Sequence, residues 1–343
     1  MSQKTELLQG RYRIRNRIGT GGFSNIYQAL DEQTGQEVSI KEFTADHMDG
    51  VDTLLRGSAY DIARQSVPSP AGDRSSLSQE EMLVRGLMQV VKEEEMLKRL
   101  ADVPGVPAVY GTFRENNTIY MVREYLEGMT CRDYMDRFRG RIPFTLALYI
   151  MKGILEVLET IHSRGYIHCD VSTINSFLCR DGTVYLIDWG NAVKTEGSME
   201  DHVVRQAVNV RFSAPEQQIS GERLTPATDI YCLCATIYDA VCGDPPRQCL
   251  ERLRGRDLVD PSFYVGDLPS FVSDMLVRGL SLDPAGRPGS AGELLEILDR
   301  EIEFSVTPVA GTGNVQVSAK LLNEKRSPFG FLTSRRHRRP TVL

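Results

Sequence analysis

His168-Cys169-Asp170-Val171-Ser172-Thr173-Ile174-Asn175 and, shortly after it, Leu186-Ile187-Asp188-Trp189-Gly190 are the stretches whose reading decides the fold. Each follows a short apolar run and carries carboxylate or amide oxygens. Taken singly, each carboxylate reads as a surface charge. Their meaning depends on what else the chain carries, and in what order.

Upstream, Gly19-Thr20-Gly21-Gly22-Phe23-Ser24-Asn25-Ile26 joins two strand patterns. Glycine there lets backbone amides approach a phosphate closely, although a Gly-rich hairpin turn has the same composition. Val38-Ser39-Ile40-Lys41 ends a third strand pattern in a lysine, and a lysine in that setting also snorkels from a core edge. The strands expected are Tyr12 to Ile18, Asn25 to Ala29 and Glu37 to Phe43, an antiparallel meander punctuated by Asp-Glu-Gln-Thr-Gly. A polar, Pro-containing stretch follows and reads as a loop, with a short helix near Val51 to Arg64. Then comes an amphipathic helix over about Ser78 to Leu100, and two strands over Ala108 to Phe113 and Thr118 to Glu124. From Thr130 the pattern is mainly helical, with apolar periodicity over Leu146 to His162, Pro226 to Val241 and Leu268 to Leu280. A small β-rich lobe is thus followed by a larger α-rich one.

The composition is that of a folded globular chain: 343 residues, 41% hydrophobic, 25% charged and 8% aromatic. The longest apolar run, Ile230 to Val241, is about half the ~20 residues a membrane span needs and contains Asp239. The polar start, Met1 to Gly10, lacks the apolar stretch of a secretory signal, and the expected location is the reducing cytoplasm. Seven cysteines scattered through apolar segments do not form a disulfide framework, and the close pair Cys232 and Cys234 suits buried packing better than metal binding. From Phe304 onward the chain carries a net charge of +6, which leaves −12 on residues 1–303. So acidic a body argues against nucleic-acid partners, while the tail ending Arg335, Arg336, His337, Arg338, Arg339 reads as a solvated, disordered terminus able to meet an acidic partner.

Glycine loop, strand lysine, helix glutamate, His-x-Asp-x4-Asn, Asp-aromatic-Gly and Ala214-Pro215-Glu216 occur in an order that resembles the eukaryotic-like protein kinase superfamily, most closely its bacterial Ser/Thr members. The resemblance runs from about Arg11 to Ile302 and includes Asp229-Ile230-Tyr231 and Arg287. It implies an α+β, bilobal fold: an extension over 1–10, a kinase domain over 11–302 and a basic tail over 303–343. The smaller lobe would span 11–124, with an insertion at about 44–77, and the larger 125–302.

The same resemblance implies ATP and Mg²⁺ as cofactors and an unnamed protein as substrate. Lys41 would hold the nucleotide phosphates, oriented by a helix glutamate. Glu93, Glu94 and Glu95 compete for that role, because neighbours on a helix diverge by ~100°, and alignment on Met96-Leu97 selects Glu93. Asp170 would accept the substrate hydroxyl proton, and Asn175 and Asp188 would hold the metal. Gly19, Thr20, Gly21, Gly22, Phe23, Ser24, Ile26, Ser39, Glu124, Leu126 and Phe177 would line the nucleotide site. His168 and Trp189 would pack in the hydrophobic spine, Glu216 and Arg287 would form a buried ion pair, and Asp229 would brace the catalytic loop.

Four departures from the pattern stand out. Cys169 replaces the arginine that reads an activating phosphate, Ser172 and Asn209 replace a lysine and a threonine used toward the substrate, and Arg123 stands at the back of the nucleotide pocket, where a buried guanidinium either needs a partner such as one of glutamates 93 to 95 or must snorkel outward. The fourth is the 52-residue spacing from Lys41 to Glu93, more than double the usual one. The leading expectation is a protein Ser/Thr kinase. The alternatives are a nucleotide-binding pseudokinase acting as a scaffold or switch, and a small-molecule kinase.

Overall fold

Alternation of apolar and polar residues builds the first sheet. Strands β1 (Tyr12–Thr20), β2 (Ser24–Asp31), β3 (Glu37–Phe43), β4 (Val109–Glu115) and β5 (Thr118–Glu124) form it antiparallel, in the order β1-β2-β3-β5-β4. The computed structural model describes residues 7–20, 24–43, 79–116, 118–195, 209–219, 221–311, 314–323 and 341–342. Its contacts divide the chain into two units. One holds the described residues up to Leu126 together with Asp188–Ala192; the other holds those of Glu127–Ile187, Val193–Glu196 and Ala207–Leu343. The β-rich unit followed by an α-rich one is the expected α+β arrangement. The short helix expected near Val51 to Arg64, and the insertion at about 44–77, lie outside the described residues.

In the first unit the two faces of β3 divide the work, because successive side chains on a strand point to opposite faces. Val38 and Ile40 join Tyr12, Ala29, Tyr120 and Val122 in a buried cluster, with Phe113 stacked against both Tyr12 and Tyr120. Ser39, Lys41 and Phe43 take the other face. Helix α1 (Gln79–Arg99) packs there, and a Cβ on its Gly86 would come within 2.5 Å of the Phe43 ring. Gly86 is therefore the residue that lets helix and strand approach, although glycine inside a helix costs about 1 kcal/mol relative to alanine. The hairpin joining β2 and β3 turns through Gly35 at φ 73°. The Asp31 carboxylate caps that turn, accepting the Gln33 N–H and the Thr34 hydroxyl.

The second unit is built on α2 (Cys131–Arg137), α3 (Phe144–Ser163), α4 (Pro215–Gln218), α5 (Pro226–Cys242), α6 (Cys249–Leu253), α7 (Ser270–Gly279) and α8 (Ala291–Glu301). Every residue of α5 from Thr228 to Cys242 is buried, and its polar members Thr228, Asp229, Thr236 and Asp239 are hydrogen-bonded within the protein. Gly279 admits α7 against it, since a Cβ there would meet the Cys234 sulfur. Two small sheets hold the chemical loops: β6 (Gly128–Thr130), β8 (Ser176–Cys179) and β9 (Val184–Leu186) in one, β7 (Tyr166–Ile167) and β10 (Val193–Lys194) in the other.

The expected disordered tail over 303–343 is corrected in its first half. Strands β11 (Ile302–Pro308) and β12 (Val315–Leu321) form an antiparallel hairpin, and a short β13 (Thr341–Val342) pairs with β12. The physical reason is burial: Ile302, Val315 and Val317 are covered, and Phe304 lies edge-on to Tyr149 of α3. The cluster Arg335 to Arg339 lies outside the described residues. No helix among the described residues is long and apolar enough to cross a membrane.

Candidate active site

Lys41 is placed by register. It faces Ile26 across β2–β3 and Met121 across β3–β5, and Ile26 in turn faces Gly19 on β1, so these residues form one row across the sheet. On the helix-facing side, Lys41 Nζ donates to Glu93 Oε2 at 2.6 Å and lies 3.5 Å from Asp188 Oδ1. Glu93 is buried, 1% exposed, on the face of α1 turned to the sheet, whereas Asp188 is 40% exposed. Burial pulls the Lys41 ammonium down, but the Asp188 and Glu93 carboxylates outweigh it and the net direction is up, so the cation is retained. Of the three competing glutamates, Glu94 is engaged by Lys98 and Thr112, and Glu95 is exposed.

Arg123 does not snorkel outward. Its Nη1 donates to Glu93 Oε1 at 2.9 Å, so one buried carboxylate serves two cations. Asp188 itself sits at φ 63°, a conformation that aspartate tolerates better than most side chains. Gly190 lies so close to α1 that a Cβ there would come within 2.7 Å of Gln89. Trp189 between them is buried.

The Asp170 loop belongs to the second unit and is held through its backbone. The Asp229 carboxylate, at the start of α5, accepts the His168 N–H and the Cys169 N–H, each at 2.8 Å. His162 Nε2 lies 2.8 Å from the same carboxylate. Cys169 is at φ 66°, strained for a side-chain-bearing residue, at a cost of order 1 to 3 kcal/mol. Gln217 Nε2 donates to the Cys169 carbonyl at 2.7 Å and so fixes the other side of that residue. Asn175 donates its amide to the Asp170 carbonyl at 2.8 Å, and its own carbonyl accepts the Ile187 N–H. With the amide nitrogen so used, the Asn175 side-chain oxygen is the group left to offer a hard cation. His168 is buried, and so is Ser172, which brings a hydroxyl and no cation.

Behind this loop, Glu216 and Arg287 meet through a two-pronged pair, and Thr228 donates to the same carboxylate. The remaining expected residues distribute as follows. Ser24, Thr20 and Ser39 sit at paired positions of the first sheet, opposite Phe43, Asn25 and Arg123 respectively. Glu124 Oε2 accepts the Ala108 N–H, and Leu126 follows the end of β5. Phe177 lies on β8 opposite Thr130 and Tyr185. Gly21, Gly22 and Phe23 lie outside the described residues. The first unit therefore brings together Lys41, Glu93, Asp188 and Arg123; the second brings together Asp170 and Asn175. His162 stands in no motif and was not singled out in the sequence, and Gln217 was read only as the residue that follows Pro215-Glu216, with no role toward Cys169.

The protein kinase domain family matches residues 74–263, more than half of the chain. That match starts after Lys41, so it reaches neither the glycine segment nor Lys41. The chain is 27% identical to the probable serine/threonine-protein kinase PknB of Bifidobacterium longum over 85% of its length and 40% of the relative's. It is 25% identical to the serine/threonine-protein kinase PrkC of Bacillus subtilis over 84% of its length and 40% of the relative's. It thus spans about 40% of the length of these curated relatives. A solved structure titled PpkA-294 apo form shares the fold, with a TM-score of 0.64 and 21% identity over 87% of this chain and 99% of that one. The ordered motifs, the braced His-Cys-Asp loop and the family match over residues 74–263 lead to one assignment: the chain belongs to the protein kinase domain family.

Proposed function

We propose that the chain is an ATP-dependent protein kinase that transfers the γ-phosphoryl group of Mg·ATP to Ser or Thr hydroxyls of a protein. The observation that carries this reading is the Lys41–Glu93 ion pair with Asp188 beside it. Phosphoryl transfer asks a protein for positioning and charge neutralisation more than for covalent chemistry. Lys41, kept cationic and held by Glu93, would neutralise nucleotide phosphates. The half-exposed Asp188 carboxylate and the Asn175 oxygen suit Mg²⁺, which typically rests on one or two carboxylates and the substrate phosphates. Among the described residues there is no cluster of three or more His, Cys, Asp or Glu that would hold a metal alone. Asp170 would take the proton from the attacking hydroxyl. The extent of the catalytic domain, 11–302, belongs to the same proposal, as do soluble cytoplasmic residence and contact of the basic tail with an acidic partner.

One observation favours a second reading, a pseudokinase scaffold: Ser172, fully buried, cannot supply a cation toward a transferring phosphate. Incubation with Mg²⁺ and labelled ATP, with and without a generic protein substrate, separates the two. Label transfer by the unmutated chain and none by Asp188→Ala supports the kinase. Nucleotide binding without transfer by either supports the scaffold.

A further inference from the structure

Resting on the kinase reading, we propose that Arg123 is a positioning residue that sets the Lys41–Glu93 pair from within the first unit, so that α1 needs no outside group to bring Glu93 to Lys41. The register supplies the first step. Arg123 on β5 lies opposite Ser39, and Lys41 on β3 lies opposite Met121, so the two cations occupy diagonal positions on one face of adjacent strands. Such diagonal neighbours stand about 7–8 Å apart at the backbone, a gap that a single carboxylate can bridge. Glu93 does so, with Oε1 on Arg123 at 2.9 Å and Oε2 on Lys41 at 2.6 Å.

Each oxygen of the Glu93 carboxylate has its own cation, Oε2 with Lys41 and Oε1 with Arg123, and the second anchor fixes an orientation that one cation alone would leave free to turn. Arg123 is itself buried, 9% exposed, so its direction is set by packing. The adjacent Glu94 completes the lock: its Oε2 accepts the Thr112 hydroxyl of β4 at 3.1 Å and its Oε1 pairs with Lys98. Consecutive glutamates thus tie one turn of α1 to β3, β4 and β5, which fixes both its distance from the sheet and its rotation. Lys41, Arg123, Glu93 and Asp188 together carry two charges of each sign, so the cluster is balanced as it stands.

The test compares the unmutated chain with Arg123→Met and Arg123→Lys by kcat, KM for ATP, and amide hydrogen exchange over residues 86–97. Arg123→Met is expected to lower kcat about tenfold, to leave KM for ATP within about threefold, and to raise exchange across α1 about tenfold, while Arg123→Lys recovers kcat to within about threefold. Unchanged kcat and exchange in Arg123→Met overturn the proposal. So does equal loss in both variants with KM rising in step, which marks a side chain that only shapes the pocket. Should Arg123→Met fail to fold, the lysine variant decides alone: near-normal kcat with protected α1 supports the proposal, and exchange raised as in an unfolded helix overturns it. If the unmutated chain transfers no phosphoryl group, the kinase reading fails, and the exchange comparison still judges Arg123.

Discussion

Glu216 and Arg287 lie 71 residues apart in the chain and meet in its interior, with Nη1–Oε1 at 2.6 Å and Nη2–Oε2 at 3.0 Å. Both side chains are at most 4% exposed, and Arg287 also donates to the Ser281, Leu282 and Ala227 carbonyls. Removing one partner of such a pair leaves an uncompensated buried charge, so Arg287→Ala should destabilise by about 3–5 kcal/mol. Urea unfolding measures it. A loss below about 1 kcal/mol would show that water reaches Glu216.

Asp229 tests whether the Asp170 loop is held as described. Asp229→Asn keeps the shape but turns one acceptor oxygen into a donor facing the His168 or Cys169 N–H. Loss of a charge-assisted bond and a donor–donor clash should cost about 2–3 kcal/mol and slow phosphoryl transfer at least about tenfold. Activity and stability both unchanged would mean that Gln217 alone holds Cys169.

The acid limb of stability should depend on Asp31. Hydrogen bonds from Arg11, assisted by the Gln33 N–H and the Thr34 hydroxyl, hold its carboxyl well below the usual carboxylate range despite burial pushing the other way. A group whose folded pKa is depressed contributes fully above its unfolded value of about 4, and the contribution is lost as pH falls through the folded pKa. Thermal midpoints measured between about pH 5 and about pH 2 should therefore fall more steeply for the unmutated chain than for Asp31→Asn. Parallel curves would contradict the pairing.

All seven cysteines are buried as free thiols. Burial pushes those of Cys131, Cys234 and Cys242 up to about 12, far from the ionised form that reacts. The folded chain should resist alkylation near neutral pH and take up label only on unfolding, counted by mass spectrometry. Rapid labelling of any one thiol in the native state would show local opening there.

Elements with sustained periodicity were legible in the sequence nearly to the residue: β3 was expected at Glu37 to Phe43, and α1 within one residue of Gln79–Arg99. Strands of two to four residues, such as β7 and β8, are too short to carry a period and were passed over. The β11–β12 hairpin hid differently. Its alternation at Val315, Gln316, Val317, Ser318 and the Gly311 turn were present, but Gly, Ser and Pro near them read as a tail. For the site, residues in ordered motifs were legible because their spacing is local. Contacts brought in by the fold were not: His162 and Gln217 reach the Asp170 loop from other elements, a role the sequence assigned to neither of them, and the choice of Glu93 for Arg123 depends on a strand register and a helix rotation that no local pattern encodes.

Phosphoryl transfer with Asp170 as proton acceptor is what we propose of this chain. The most direct measurement is transfer of labelled γ-phosphoryl from Mg·ATP to protein hydroxyls by the unmutated chain and by Asp170→Asn, with nucleotide binding followed by calorimetry in both. The account predicts that both bind nucleotide and that the variant transfers about 10²- to 10⁴-fold more slowly. Equal turnover by the two, or nucleotide binding by neither, would contradict it.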